Sequence, residues 1–344
     1  MSDDRTTTRG APRAICFSCA GERLSAEERA LFAACNPLGF ILFRRNCVSP
    51  DQVRALIGEF RALVGRDDAP VLIDQEGGRV QRLHPPNWRR YPAPAALAAL
   101  PEAEAAVRLG ARLIADDLAQ LGVTVDAIPV LDLPVAGADG VIGDRAYGSD
   151  PTRVARLGQA AIDGLMAGGV LPIMKHIPGH GRARVDSHKA LPVVDESAAV
   201  LSAADFAPFR ALAGTPWAMT AHVVYGAIDP SRPATLSPTV IHDVIRGEIG
   251  FDGLLVSDDI GMGALSGGIG DRVSGALDAG CDMVLHCSGI LPEMEEAAAA
   301  ARPLSKAAVA RLARGEARRL AARREFDRGA AEARFDRLVG IGAG

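Results

Sequence analysis

The chain has 344 residues, 48% of them hydrophobic and 23% charged, which suffices for one large domain or two ordinary ones. A formal net charge of −4 argues against a nucleic-acid binder, which carries a basic face, and the polar first dozen residues lack the apolar core of a signal peptide. No stretch reaches eighteen uninterrupted apolar residues, so the expectation is a cytoplasmic protein acting on a small molecule, with no membrane span and no obligate protein partner.

Aromatic residues make up only 4% of the chain, so the core must be built mainly from Ala, Val, Leu and Ile. Six cysteines are too few for a disulfide scaffold in so long a chain. Cys16 and Cys19 spell C-x-x-C inside an apolar run, where positions three apart face opposite sides of a strand; free buried thiols are expected for all six.

In chain order, residues 1–12 read as a flexible tail and residues 13–344 as a single domain that includes the C-terminal helices. The first apolar run, residues 14–19, reads as a strand. It is followed by a helix over 25–34, with Ser25 as N-cap and Glu28 three residues on. A second strand over 39–43 precedes a helix that starts at the Ser49 cap and Pro50. Residues 71–74 form a third strand, and residues 76–82 a glycine-containing segment. An alanine-rich helix over 102–120 leads to a fourth strand over 123–127, then a helix over 152–167. Strands follow over 171–174, 217–221, 253–257 and 283–285, with a helix over 237–249 between the sixth and seventh. Residues 305–324 read as a solvated outer helix, rich in Ala and Arg.

Apolar runs that alternate with helices imply a parallel sheet covered on both faces. Eight such units predict a (β/α)8 barrel of the TIM type, with irregular first strands; a doubly wound open sheet is the alternative. Asp74, Asp126, Lys175 with His176, His222, Asp258 and His286 each fall at or just past the end of a separate strand. A barrel gathers those ends at one mouth, where barrel enzymes place their chemistry.

The segment 174–188, M-K-H-I-P-G-H-G-R-A-R-V-D-S-H, is the densest run of proton carriers, and Pro178, Gly179 and Gly181 keep it from forming a long helix. Two readings compete. His176, His180, His188 and Asp186 are ordinary ligands for zinc or iron. Alternatively, Asp186 orients His188 and stabilises its protonated form, an acid/base unit whose two side chains share one side of an extended D-S-H. Lys175 and two arginines nearby would repel a metal cation, and the expectation is no metal and no other cofactor. At the seventh strand Asp258 and Asp259 point to opposite faces, so only one should enter the mouth. Asp74, Arg82 and Arg145 offer charge-assisted hydrogen bonds to a polyhydroxylated ligand, or a structural ion pair; Gly77-Gly78 lacks the spacing of a phosphate loop.

The segments K-H-I-P-G-H-G-R-A-R-V-D-S-H, D-Q-E-G-G-R-V-Q-R and F-D-G-L-L-V-S-D-D-I-G-M resemble glycoside hydrolase family 3, and within it the single-domain bacterial β-N-acetylhexosaminidases. The spaced D-S-H is the most specific of the three, and the likeness covers residues 14–286. The resemblance implies a cytoplasmic exo-enzyme of peptidoglycan recycling that releases terminal GlcNAc from GlcNAc-1,6-anhydro-MurNAc and its peptide-bearing forms. By motif it makes Asp258 the nucleophile, His188 the general acid/base and Asp186 its partner. Asp74, Arg82, Arg145, Lys175 and His176 then hold the terminal sugar. The sequence departs from that pattern after the nucleophile, with I-G-M and a glycine-rich A-L-S-G-G-I-G. A phosphorylase that uses the same glycosyl-enzyme and a non-catalytic sugar-binding protein are the alternatives.

Overall fold

The computed structural model describes residues 10–340, so the tail expected over 1–12 lies for the most part outside the described residues. Eight parallel strands close into a barrel: β1 (Arg13–Phe17), β2 (Pro37–Leu42), β3 (Val71–Ile73), β4 (Val125–Asp126), β5 (Leu171–Ile177), β6 (Trp217–Thr220), β7 (Leu254–Asp259) and β8 (Met283–His286). Each strand pairs with its neighbours in chain order, and β8 returns to β1 through Ile15 opposite Val284 and Phe17 opposite His286. The barrel is the arrangement expected from the alternating pattern, and the open sheet is excluded by its closure.

Local sequence signals set the surrounding helices. Before the helix Ala26–Cys35, Ser25 Oγ accepts from the Glu28 amide at 3.1 Å while Glu28 Oε2 accepts from the Ser25 amide at 2.8 Å, a reciprocal cap. Ser49, Asp150 and Ser305 cap the helices Pro50–Val64, Pro151–Ala167 and Lys306–Ala322 in the same way with one side-chain acceptor each. Phe17, Phe32, Phe40 and Phe60 form the largest aromatic cluster, with Phe40 and Phe60 stacked at 4.8 Å, and so tie β1 and β2 to the first two helices. Gly39 is required where β2 lies between β1 and β3: a Cβ there would lie 2.7 Å from the Pro70 carbonyl oxygen and 2.8 Å from Cys16 Sγ. Five of the six cysteines are buried, Cys47 is half-buried, and all are free thiols.

Two strands differ most from expectation. β5 runs three residues further than its apolar run, because Lys175 and His176 are buried with their charges or hydrogen bonds satisfied, so the strand continues through polar residues that hydropathy marks as its end. β4 is only two residues long. The helix Arg328–Leu338, absent from the sequence reading, packs Phe335 against Gly110 of the helix Ala103–Leu121, where a Cβ would meet the ring at 3.0 Å.

Candidate active site

The eight residues to which the family resemblance gives roles, Asp74, Arg82, Arg145, Lys175, His176, Asp186, His188 and Asp258, all border one cavity of about 320 Å³ at the C-terminal ends of the strands. Its floor is an ion-pair network. Lys175 Nζ lies 2.8 Å from Asp74 Oδ1 and 2.6 Å from Glu76 Oε1, Arg82 reaches Asp74 Oδ2 at 2.9 Å, and Arg145 makes a bidentate pair with Glu76, 2.8 Å in each arm. Burial alone would raise both carboxyls, but the neighbouring cations outweigh it: Asp74 is held far below the usual carboxylate range and Glu76 is pulled down to about 2. Burial disfavours the Lys175 ammonium, and the two carboxylates more than restore it.

The backbone that presents Arg82 is a two-stranded ribbon, Gln75–Gly77 with Val80–Gln81. Gln75 Oε1 clamps it by accepting from the Arg82 and Leu83 amides at 2.9 and 3.0 Å. Gly77 adopts φ 93°, and a Cβ there would lie 2.3 Å from the Pro92 carbonyl oxygen, so the glycine pair serves a tight turn.

Glu76 and Asp132 are the functional residues that the sequence reading missed. Asp132 is fully buried: Oδ2 lies 2.6 Å from His176 Nδ1, while Oδ1 accepts from the His180 amide at 2.6 Å and the His176 amide at 3.2 Å. This carboxylate fixes the His176 ring, which faces the cavity. A carboxylate in the apolar run I-P-V-L-D-L-P was the available signal.

Asp258 is half-buried on β7, and its Oδ1 accepts from the Asp259 amide at 2.8 Å. Burial opposes its charge, but His176, His222 and that amide hold the carboxyl below its ordinary value. The expectation that only one of the adjacent aspartates enters the mouth is corrected. Both border the cavity, because the strand register slips between Val256 and Asp259 and breaks the alternation. Their surroundings still differ: Asp259 Oδ1 accepts from the Gly261 and Cys287 amides at 2.9 and 3.1 Å, and burial raises its carboxyl.

Asp186 and His188 meet as expected, for a different local reason. Residues 186–190 form a turn, not an extended segment, in which the Asp186 carbonyl accepts from the Lys189 and Ala190 amides at 2.9 and 3.0 Å. His188 is 65% exposed at its side chain, free to meet a ligand entering from solvent. His180 is engaged elsewhere, with Nε2 3.0 Å from Ser187 Oγ, and among the described residues no three His, Cys, Asp or Glu side chains are grouped to hold a metal ion. Asp126, His222 and His286 sit at strand ends as expected, but all three are buried and none borders the cavity. His222 Nε2 instead donates to the Asp259 carbonyl at 3.0 Å.

The cavity thus holds an ionised carboxylate on one strand, a carboxylate-backed imidazole on a neighbouring loop and a charge-balanced floor of hydrogen-bonding groups. The profile of the glycosyl hydrolase family 3 N terminal domain matches residues 12–317. A beta-hexosaminidase of Alkalilimnicola ehrlichii is 44% identical over 279 residues, 78% of either chain. The solved structure of NagZ from Neisseria gonorrhoeae in complex with N-trifluoroacetyl-D-glucosamine superimposes with a TM-score of 0.84 at 33% identity, covering 96% of this chain and 98% of that one. A glycoside hydrolase family 3 beta-N-acetylglucosaminidase from Paenibacillus sp. str. FPU-7 gives a TM-score of 0.78 at 33% identity; this chain covers 62% of its length. With the profile matched over most of the chain, the protein belongs to glycosyl hydrolase family 3.

Proposed function

We propose that this chain is a retaining exo-β-N-acetylglucosaminidase that removes terminal GlcNAc from GlcNAc-1,6-anhydro-MurNAc and its peptides during cytoplasmic cell-wall recycling. The observation that carries the reading is that Asp258 and the Asp186–His188 pair, 70 residues apart in the chain, border the same cavity. The name of the Paenibacillus relative, a beta-N-acetylglucosaminidase, supports the choice of an N-acetylated amino sugar. Among the described residues no helix is long and apolar enough to cross a membrane.

In this mechanism Asp258 attacks the anomeric carbon as the glycosidic C–O bond breaks, and His188 donates its proton to the departing oxygen. The neutral His188 then removes a proton from water, which displaces Asp258 and releases the sugar with retained configuration. Asp74, Arg82, Arg145, Lys175 and His176 hold the sugar hydroxyls. Because Asp74 already pairs with Arg82 and Lys175, Arg145 with Glu76 and His176 with Asp132, these groups are oriented before the ligand arrives and need little reorganisation on binding.

The test is turnover of p-nitrophenyl β-GlcNAc beside the matching β-glucoside, followed by labelling with a slow 5-fluoro GlcNAc donor. Preference for the acetamido sugar and a label on Asp258 are expected. A label on Asp259 overturns the assignment of the nucleophile, and turnover of neither glycoside overturns the activity.

A further inference from the structure

Ser187, the central residue of the D-S-H motif, is buried while its two neighbours are not. Its side chain pairs with His180, with Oγ 3.0 Å from His180 Nε2, and both residues border the cavity beside Asp186 and His188. Its carbonyl oxygen accepts from the Ala264 amide at 3.0 Å, in the rim that follows β7. His180 is itself fixed, because its amide donates to Asp132 Oδ1 at 2.6 Å, and Asp132 also holds His176. A continuous chain of hydrogen bonds therefore runs from the buried Asp132 carboxylate through His180 and Ser187 to the exposed turn that carries the imidazole.

We propose that His180 and the Ser187 hydroxyl form a latch that seats the Asp186–His188 turn over the cavity, making Ser187 a positioning residue for proton transfer to the leaving group. The proposal rests on the reading of His188 as the general acid/base. Beyond the latch and the Ala264 amide on the Ser187 carbonyl, the turn's backbone bonds are local, and among the described residues Asp186 Oδ1 accepts from His188 alone. Burial pushes the His180 imidazole down to about 4, so this ring is neutral at working pH and joins the serine as an uncharged hydrogen-bond partner rather than as a second proton carrier. The serine can share its hydroxyl proton with that ring, a contact that alanine loses and threonine keeps.

The experiment compares the parent with Ser187→Ala and Ser187→Thr on two substrates: a GlcNAc disaccharide, whose leaving oxygen must be protonated, and 2,4-dinitrophenyl β-GlcNAc, whose leaving group needs no acid. Ser187→Ala is expected to lower kcat/KM on the disaccharide by about 10-fold and on the aryl glycoside by less than about twofold. Ser187→Thr is expected to restore most of the difference. Hydrogen exchange of the Lys189 and Ala190 amides, which measures the seating of the turn directly, should be faster in Ser187→Ala. Equal losses on both substrates, or no loss on the disaccharide, overturn the latch while leaving the glycosidase reading intact. A parent that turns over neither substrate overturns both.

Discussion

Asp186 Oδ1 accepts from the backbone amide of His188 at 2.9 Å and lies 3.0 Å from the Nδ1 of the same residue, so one carboxylate oxygen fixes both the turn and the ring. The weak burial of Asp186 would raise its carboxyl slightly, and the two His188 contacts outweigh it, keeping the group ionised through neutral pH. Asp186→Asn keeps the turn acceptor and removes the charge. Removing that charge should lower kcat/KM on a GlcNAc disaccharide several-fold while 2,4-dinitrophenyl β-GlcNAc, whose leaving group needs no acid, changes little. Equal losses on both substrates reject the pairing as a proton device.

Removing the imidazole tests the acid role proposed for His188 against a role in sugar binding. His188→Ala should cost about 10²–10⁴-fold in kcat/KM on the disaccharide and far less on 2,4-dinitrophenyl β-GlcNAc, measured side by side. A loss of equal size on both substrates assigns His188 to sugar positioning alone.

Lys175 is 1% exposed and stands between the half-buried Asp74 and the buried Glu76, so its charge is structural as well as cavity-facing. Lys175→Met leaves Asp74 and Glu76 sharing only Arg82 and Arg145, and should cost about 3–5 kcal/mol in chemical denaturation at neutral pH. The pH dependence has a definite sign. Glu76 falls from 4.5 to about 2 on folding, so its stabilisation is complete above pH 4.5 and lost as pH falls from there toward 2. The parent should lose stability over that acid window more steeply than Lys175→Met, whose carboxylates have less depression to lose.

How much of this was legible in the sequence depends on whether a residue's role is local. The Ser25 and Ser49 caps, the apolar run of β7 and the proton carriers of 174–188 all announce themselves in a few residues, so the barrel and most of the cavity followed. Glu76 was read only as part of a glycine-rich segment, because its two cations arrive from 69 and 99 positions further on. Asp132 acquires its meaning only when β4 and β5 pair and bring His176 and His180 beside it. The slip that turns both Asp258 and Asp259 toward the cavity depends on the register with β8, which alternation within one strand does not carry.

Asp126 is a buried acid with a cost. Burial pushes its carboxyl from 3.8 up to about 8; Oδ1 accepts from the Gln75 amide at 2.9 Å, and Oδ2 has no hydrogen-bond partner among the described residues. Above pH 3.8 the unfolded chain releases this proton while the folded chain keeps it, so the site destabilises increasingly as pH climbs toward 8. Asp126→Asn retains the acceptor and removes the titration. The urea midpoint should rise, and by more at about pH 7.5 than at about pH 4. A gain that is the same at both pH values shows that Asp126 titrates alike in the two states.

Gly263 lies in the glycine-rich rim after β7. A Cβ there would lie 2.8 Å from the His188 carbonyl oxygen and 3.2 Å from that of Lys189, both backbone atoms that can yield only if the turn moves. Gly263→Ala therefore pushes on the Asp186–His188 turn itself while leaving the barrel strands untouched. Turnover of the disaccharide should fall several-fold, with the aryl glycoside little affected and the melting temperature nearly constant, since a surface rim contributes little to global stability. A large drop in melting temperature would instead place Gly263 among the packing glycines, beside Gly39. Unchanged disaccharide turnover would show that the turn tolerates displacement, and that His188 reaches the glycosidic oxygen without support from this rim.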